Sequence, residues 1–272
     1  MQKPQTYLPP PELRKFIVEY GVLHNRAGKR DLFFSPPIGL SGFIIQTINQ
    51  RGEINVMVGE QVFISESHVA TGQVTEPVYG EFVDEVKSLL IFFHPLGMYQ
   101  LFGHDMAKLT DKSLPLSSVV GSRACEELVS RLYDNQNTET QIEVLNNFFS
   151  GITPVARDTH KLERVLDYIH HKKGNVTIPE LETSGYYHRK TLERHFRKMI
   201  GLAPKEYARI YRFKCLINLI QSEGELTWSQ MAERAGYYDH SHLSRYVNDY
   251  LEVSPNSIVK LDMELIHYLL DK

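Results

Sequence analysis

Cysteine, tryptophan and long apolar runs are scarce in this chain, and each scarcity removes a class of protein. Cys125 and Cys215 are the only two cysteines and lie far apart, so neither a disulfide framework nor a cysteine-rich zinc site is available. Two buried free thiols are expected instead. The longest unbroken apolar run, Leu89 to Phe93, falls far short of the roughly 20 residues that span a bilayer. The opening MQKPQTYLPPP lacks the apolar stretch of a signal peptide, and a cytoplasmic protein with no membrane contact is expected. No GxSxG, phosphate-cradling GxxxxGK(S/T), dinucleotide GxGxxG or HExxH pattern occurs, so no catalytic constellation, cofactor or metal is implied. His24, His68, His94 and His104 sit in no ligand spacing and read as surface or satisfied core histidines.

What is present is ordinary globular usage at 272 residues, 42% apolar and 23% charged, enough for two domains with a real core in the larger. The net charge of -3 conceals an asymmetry. Residues 1–160 hold 13 Lys/Arg and 18 Asp/Glu, a balance of -5; residues 161–260 hold 16 and 12, a balance of +4; the last twelve add -2. Between Tyr187 and Lys214 nine cations face only Glu193 and Glu206, a local basic patch of the kind that meets nucleic acid.

The patterning changes along the chain. From Asp31 to His94 short β-branched and aromatic runs such as GFIIQTI, INVMVGEQVFIS and SLLIFFH alternate with turn residues, which predicts an antiparallel sandwich or barrel. Phe33, Phe34, Phe43 and Phe82 there serve a barrel core or line an effector pocket, with core the stronger reading. After Pro95, helical spacing appears at Met98, Leu101 and Phe102, then Leu128, Val129 and Leu132, then Ile142, Leu145 and Phe149. The fold class read from this is α+β: residues 1–150 a β-rich domain with appended helices, 151–159 a linker, 160–260 all helical, and 261–272 a helical tail through Leu261, Leu265, Ile266 and Leu269. In the helical part Leu162, Val165, Leu166 and Ile169 form one stripe, and a long helix from Pro204 to Gln221 carries Ile210, Phe213, Ile217 and Ile220.

A repeat organises this half. At an offset of 51 positions Leu192 matches Leu243, Arg194 matches Arg245, Phe196 matches Val247, Leu202 matches Val253 and Pro204 matches Pro255. Each copy is a short helix, a turn, a second helix and a stop before Pro, which is a helix-turn-helix unit. Two such units on one helix of roughly 27 Å would set recognition helices into successive turns of one DNA face, roughly 34 Å apart.

The stretches TIPELETSGYYHRKTLERHFRKMIGLAPKEYARIYRFKCLINLI and WSQMAERAGYYDHSHLSRYVNDYLEVSPNSI resemble the paired helix-turn-helix domain of the AraC/XylS transcription regulators. SLLIFFHPLGMYQLFG followed by LTDKSLPL is similar to the barrel-like, cupin-type sensor half of that family. The resemblance implies a sequence-specific regulator of double-stranded DNA that answers a small-molecule effector, pairs as a homodimer through helices between Gly121 and Phe149, and, as an activator, meets RNA polymerase. It implies DNA-facing positions at Arg189, Lys190, Glu193, Arg194 and Arg197 in the first unit and at His240, Ser241, His242, Ser244 and Arg245 in the second. Arg reads guanine with its fork and Glu accepts from cytosine's amino group; the competing reading is a solvated face with a Glu193–Arg197 pair, or a purely phosphate-facing Arg194. HSH at 240–242 does not form a metal pair, because positions two apart on a helix diverge.

Three departures from the family pattern stand out. Glu182 replaces a small residue, His188 replaces the capping Ser of the first recognition helix, and Glu252 stands where the first copy has Gly201. Gly201 enters the left-handed conformation freely and Glu252 does not. On the second recognition helix Arg245 is the one cation, opposed by Asp239 and Asp249, so the first unit is expected to carry most of the electrostatic affinity. A rival from another class is a barrel-fold small-molecule binder or metal-dependent enzyme with a helical interaction module.

Overall fold

The computed structural model describes residues 4–25, 31–48, 54–58, 61–64, 67–82, 85–135, 137–155, 158–222, 228–234, 236–237, 240–251, 268 and 270. Among the described residues the N-terminal part holds ten antiparallel strands in two sheets. Strands β1 (Gln5–Tyr7), β2 (Ile17–Asn25), β4 (Ser41–Ile48), β7 (His68–Thr71), β9 (Val86–Phe93) and β10 (Ser113–Pro115) form one sheet in the order β1-β2-β9-β4-β7-β10. Strands β3 (Asp31–Ser35), β5 (Ile54–Val58), β6 (Gln61–Ile64) and β8 (Val78–Phe82) form the second in the order β3-β8-β5-β6. Among the described residues no ladder joins the two, so the expected barrel is not closed. The sheets instead meet through side chains, with Phe33 of β3 packed on Phe82 of β8 at 5.0 Å beside Leu23, Val86 and Leu90 of the larger sheet.

β9 lies in the middle of the larger sheet, which explains its unbroken apolar run: a strand covered on both faces has no reason to alternate. Its Leu89, Ile91 and Phe93 face helices α1 (Gly97–Phe102), α3 (Ser122–Tyr133) and α4 (Thr138–Ser150), where Leu128, Leu132, Ile142, Leu145 and Phe149 complete the core. Phe43, Phe93 and Phe149 are in ring contact there, at 4.8 to 6.2 Å. A short helix, α2 (Ser117–Val120), precedes α3. The reverse face of β9 carries Phe92, which meets Tyr268 of the C-terminal tail edge to face at 6.2 Å. Gly21 of β2 lies so close to the Tyr268 hydroxyl that a Cβ there would overlap it. Leu270 is buried among the helices of the other half, so the tail bridges the two; Leu261, Leu265, Ile266 and Leu269 lie outside the described residues.

The helical half runs α5 (His160–His171), α6 (Ile178–Gly185), α7 (Arg189–Ile200), α8 (Pro204–Ser222), α9 (Trp228–Arg234) and α10 (His240–Leu251). The α5 stripe Leu162, Val165, Leu166 and Ile169 is buried as its spacing requires. Helix α8 buries more than a stripe: Tyr207, Ala208, Ile210, Phe213, Leu216 and Ile217 all lie in the core, because both helix-turn-helix units pack around it. Of the two thiols, expected to be buried, Cys125 is buried but Cys215 is only half-buried. Among the described residues no helix is long and apolar enough to cross a membrane.

The two halves are in contact. Leu96 joins the helical core, and Met199 of α7 packs against both cores. Gln100 donates from Nε2 to Thr159 Oγ1 at 2.9 Å and Glu163 Oε1 at 3.0 Å. At the same junction His170 Nε2 and the Tyr207 hydroxyl are 2.9 Å apart, and the His170 ring stacks on Tyr211 at 4.3 Å. Burial, then the positive charge of Lys214, pull the pKa of His170 down to about 4. His94 is likewise lowered by burial and Lys214, against an opposing backbone hydrogen bond at Arg14.

A histidine held neutral in the folded state and free to protonate when unfolded destabilises the fold as pH falls from its ordinary value toward its folded one. Stability should therefore decline between about pH 6.5 and pH 4, His170 contributing about 2 kcal/mol once its partial exposure is discounted. Urea titrations across this range should show a shallower decline for His170→Gln; superimposable profiles would exclude the junction as its source.

Candidate nucleic-acid interface

The first unit is assembled from local rules. Glu180 accepts from the Thr177 N–H at 2.6 Å and from its hydroxyl at 2.7 Å, closing the N-terminus of α6. The chain then reverses through Tyr186, whose φ of +53° is left-handed, and α7 begins at Arg189. His188 makes no side-chain capping bond. The acceptor comes instead from Glu182, whose Oε1 receives the Arg189 N–H at 2.7 Å. The two departures from the family pattern thus compensate each other: a carboxylate from α6 caps the helix that lost its serine, and its charge complements the N-terminal dipole.

Leu192, Phe196 and Ile200 bury the inner face of α7 completely. Met199, one turn of spacing from Phe196, is half-buried and packs at the junction between the two halves. The outer face presents Lys190, Arg194 and Arg197, all exposed. Arg189 is exposed as well and pairs with Glu193 at 3.0 Å. Glu193 thus pairs toward the start of the helix, and not with Arg197 as the competing reading of a solvated face had it. Gly201 ends the helix at φ +102° and donates to the Arg197 and Phe196 carbonyls at 2.9 and 3.3 Å, as a left-handed closure requires. Its own carbonyl accepts from Thr110 Oγ1 of the N-terminal part at 2.7 Å. The far end of α7 is therefore held by the other half of the molecule.

The second unit repeats this face. Leu243, Val247 and Leu251 of α10 are buried, and Ser241 and Arg245 are exposed, with Ser244 half-buried. The positions matched by the 51-residue offset have matching environments: Leu192 and Leu243 inside, Phe196 and Val247 inside, Arg194 and Arg245 outside. The side chains of His240 and His242, together with Asp239, Glu252, Val253 and Pro255, lie outside the described residues. Asp249 lies 3.6 Å from Arg209 of α8, whose Nε also donates to the Tyr246 hydroxyl at 3.1 Å. Helix α8 spans 19 residues, about 28 Å.

Residues that spacing alone does not mark also line this surface. Arg164 of α5 places its guanidinium 5.0 Å from the Tyr186 ring, and Lys161 lies 5.7 Å from that of Tyr187. His195, whose ring Nδ1 is 3.4 Å from the Tyr187 hydroxyl, has its pKa lowered by burial, then by Arg194, Lys198 and Lys161. No sequence signal singles out α5, since its cations fall between apolar stripe positions as they do on any amphipathic helix. In the N-terminal part, Gln46 and Ser88 are register partners on β4 and β9, are buried, and leave their side-chain polar atoms without hydrogen-bond partners among the described residues.

Residues 186–260 match the model of a helix-turn-helix domain, and residues 5–115 that of a domain of unknown function (DUF6597). No curated protein matches the sequence. Among solved structures, the chain is similar to ToxT from Vibrio cholerae, with 13% identity, 90% of this chain and 98% of that chain covered, and a TM-score of 0.50. A second structure, ToxT from Vibrio cholerae O395 bound to (E)-4-(8-methylnaphthalen-1-yl)but-3-enoic acid, gives 13% identity, coverage of 89% and 98%, and a TM-score of 0.50. This likeness is one of fold.

Removing the Glu182 acceptor should cost about 1 kcal/mol, the usual worth of a helix cap. Glu182→Ala should lower the urea midpoint and Glu182→Gln recover most of it; a Glu182→Ala midpoint equal to that of the parent would mean that α7 is capped some other way.

Proposed function

Because residues 186–260 are a helix-turn-helix domain of the AraC type, carried on a chain with the fold of ToxT, we infer that this protein is a transcription regulator that binds double-stranded DNA in a sequence-specific manner. The observation that carries this reading is the repeated face: at positions 51 apart, two helices each bury a pair of apolar residues, Leu192 and Phe196 against Leu243 and Val247, and expose an arginine. Helices α7 and α10 then enter adjacent major grooves, with α8 as the spacer between them. Lys190, Arg194 and Arg197, with the Arg189–Glu193 pair at their flank, supply the counterion-releasing contacts and the forked donors that read guanine. Ser241, Ser244 and Arg245, with His240 and His242, form the second and less cationic reader.

The N-terminal half is the effector domain. ToxT has been seen with an organic acid bound, and a small molecule is the effector in this reading. Buried Gln46 and Ser88, whose polar atoms lack protein partners, support a ligand with groups to satisfy them. The signal reaches α7 through the Thr110–Gly201 bond and Met199, and it shifts transcription only insofar as the effector binds two arrangements of the halves unequally. Two copies pair through α3 and α4, where a cleft of about 550 Å³ is lined by Ala124, Leu128, Arg131 and Phe148. Acting on DNA in the cytoplasm, an activator of this build would meet RNA polymerase as its further partner.

Duplexes enriched from fragmented genomic DNA by the full chain provide the test. In anisotropy titrations Arg197→Ala should weaken binding by about 1–3 kcal/mol, roughly 5- to 150-fold, and affinity for the parent should fall steeply with salt. Enrichment of no fragment would refute the regulator reading; unchanged affinity for Arg197→Ala would remove that residue alone. Sedimentation should give a dimer, and a monomer at all concentrations would reject the α3/α4 pairing.

A further inference from the structure

Tyr186 breaks two local rules at once. It is the most exposed of the large apolar or aromatic side chains on the described surface, at 74%, and its backbone is left-handed at φ +53°, ψ +47°. A glycine makes this reversal without steric conflict, whereas a side chain with a Cβ costs about 1 kcal/mol there. The ring adds nothing to the packing of the fold. The aromatic that the turn requires for packing is the neighbouring Tyr187, which joins the helical core and meets His195. Strain retained at an exposed position beside a recognition helix points to a partner.

The surroundings indicate which partner. The Arg164 guanidinium lies over the Tyr186 ring, an arrangement that occupies the face of the guanidinium and leaves its N–H edges free to donate. The Arg164 Nε is buried and has no acceptor among the described residues. Lys161 on α5 and Arg194 and Lys198 on α7 are exposed, and all three are near enough for their charges to bear on His195. A concentration of donors and positive charge around an exposed phenol fits an anionic polymer.

We propose that Tyr186 and Arg164 form a phosphate clamp, in which the Tyr186 hydroxyl and the outer N–H edge of Arg164 hold the DNA backbone beside the groove that α7 enters. The clamp rests on the reading of α7 as a recognition helix and extends the DNA-binding surface from that helix onto α5. It positions the helix and reads no base, so its contribution is independent of sequence.

The test uses the full chain and a duplex that the wild type selects from a randomised 30-bp library, about three turns of DNA. Tyr186→Gly relieves the backbone, so its melting temperature should equal or exceed that of the wild type, while its affinity should fall about five- to tenfold. Tyr186→Phe, which keeps the ring and loses the hydroxyl, should lose about two- to threefold. Arg164→Gln should reduce the slope of log affinity against log salt by about 0.9, the share of one phosphate contact. Each loss should be the same on duplexes with single base changes. Binding by Tyr186→Gly within twofold of the wild type, while Arg194→Ala binds weakly, would overturn the clamp alone and assign the ring to a protein surface. Losses that vary with the base changes would overturn it in favour of base reading. A wild-type chain that selects no duplex would overturn the clamp and the DNA-binding reading together.

Discussion

The arrangement of the helical half depends on the burial of α8. A surface helix needs one apolar stripe, but α8 has neighbours on several sides and places Tyr207, Ile210, Phe213, Leu216 and Ile217 in a single core with α5, α6, α7, α9 and α10. Phe196 of the first unit lies 5.9 Å from Tyr207, and Tyr250 of the second lies 4.8 Å from Phe213. Both recognition helices are therefore packed on one rod, and their spacing follows from its length. Interiors packed at crystal-like density transmit displacement, so neither recognition helix can turn without disturbing the core that holds the other.

The same core gives the N-terminal half access to the DNA-facing surface. Among the described residues its reach includes the Thr110 hydroxyl on the Gly201 carbonyl, Met199 wedged between two apolar clusters, Leu96 inserted among the helices, and Gly39, where a Cβ would lie 3.5 Å from both Ile210 and Tyr207. The half-buried His94 and His170 beside Lys214 belong to this junction, as does the tail, with Tyr268 on the sheet and Leu270 among the helices. Contacts that end on α7 and α8 bear on the elements that hold the readers in place, and two arrangements of them would make two states of different affinity.

Periodicity made much of this legible. The α5 stripe, the start of α8 at Pro204 and the duplicated face are fixed by apolar spacing, because removing apolar side chains from water is what drives each of these helices onto the core. The central position of β9 could be read from its uninterrupted run. What spacing could not convey was partner choice among polar groups. Glu193 pairs with Arg189 rather than Arg197, and Asp249 lies beside Arg209 of another helix, because surface pairs are worth little and follow side-chain geometry more than sequence distance. Glu182 and His188 each resembled a defect when taken alone; their compensation exists only in three dimensions. Closure of the strands into a barrel was likewise beyond the pattern, since alternation specifies which face is apolar and says nothing of whether the last ladder forms.

The most direct measurement is a hydroxyl-radical footprint of the full chain on a duplex it has selected. Two protected segments should appear on one face of the DNA, about ten base pairs apart, with Arg194→Ala weakening one and Arg245→Ala weakening the other. A single protected segment that both substitutions weaken alike would contradict the presence of two independent readers on one rod.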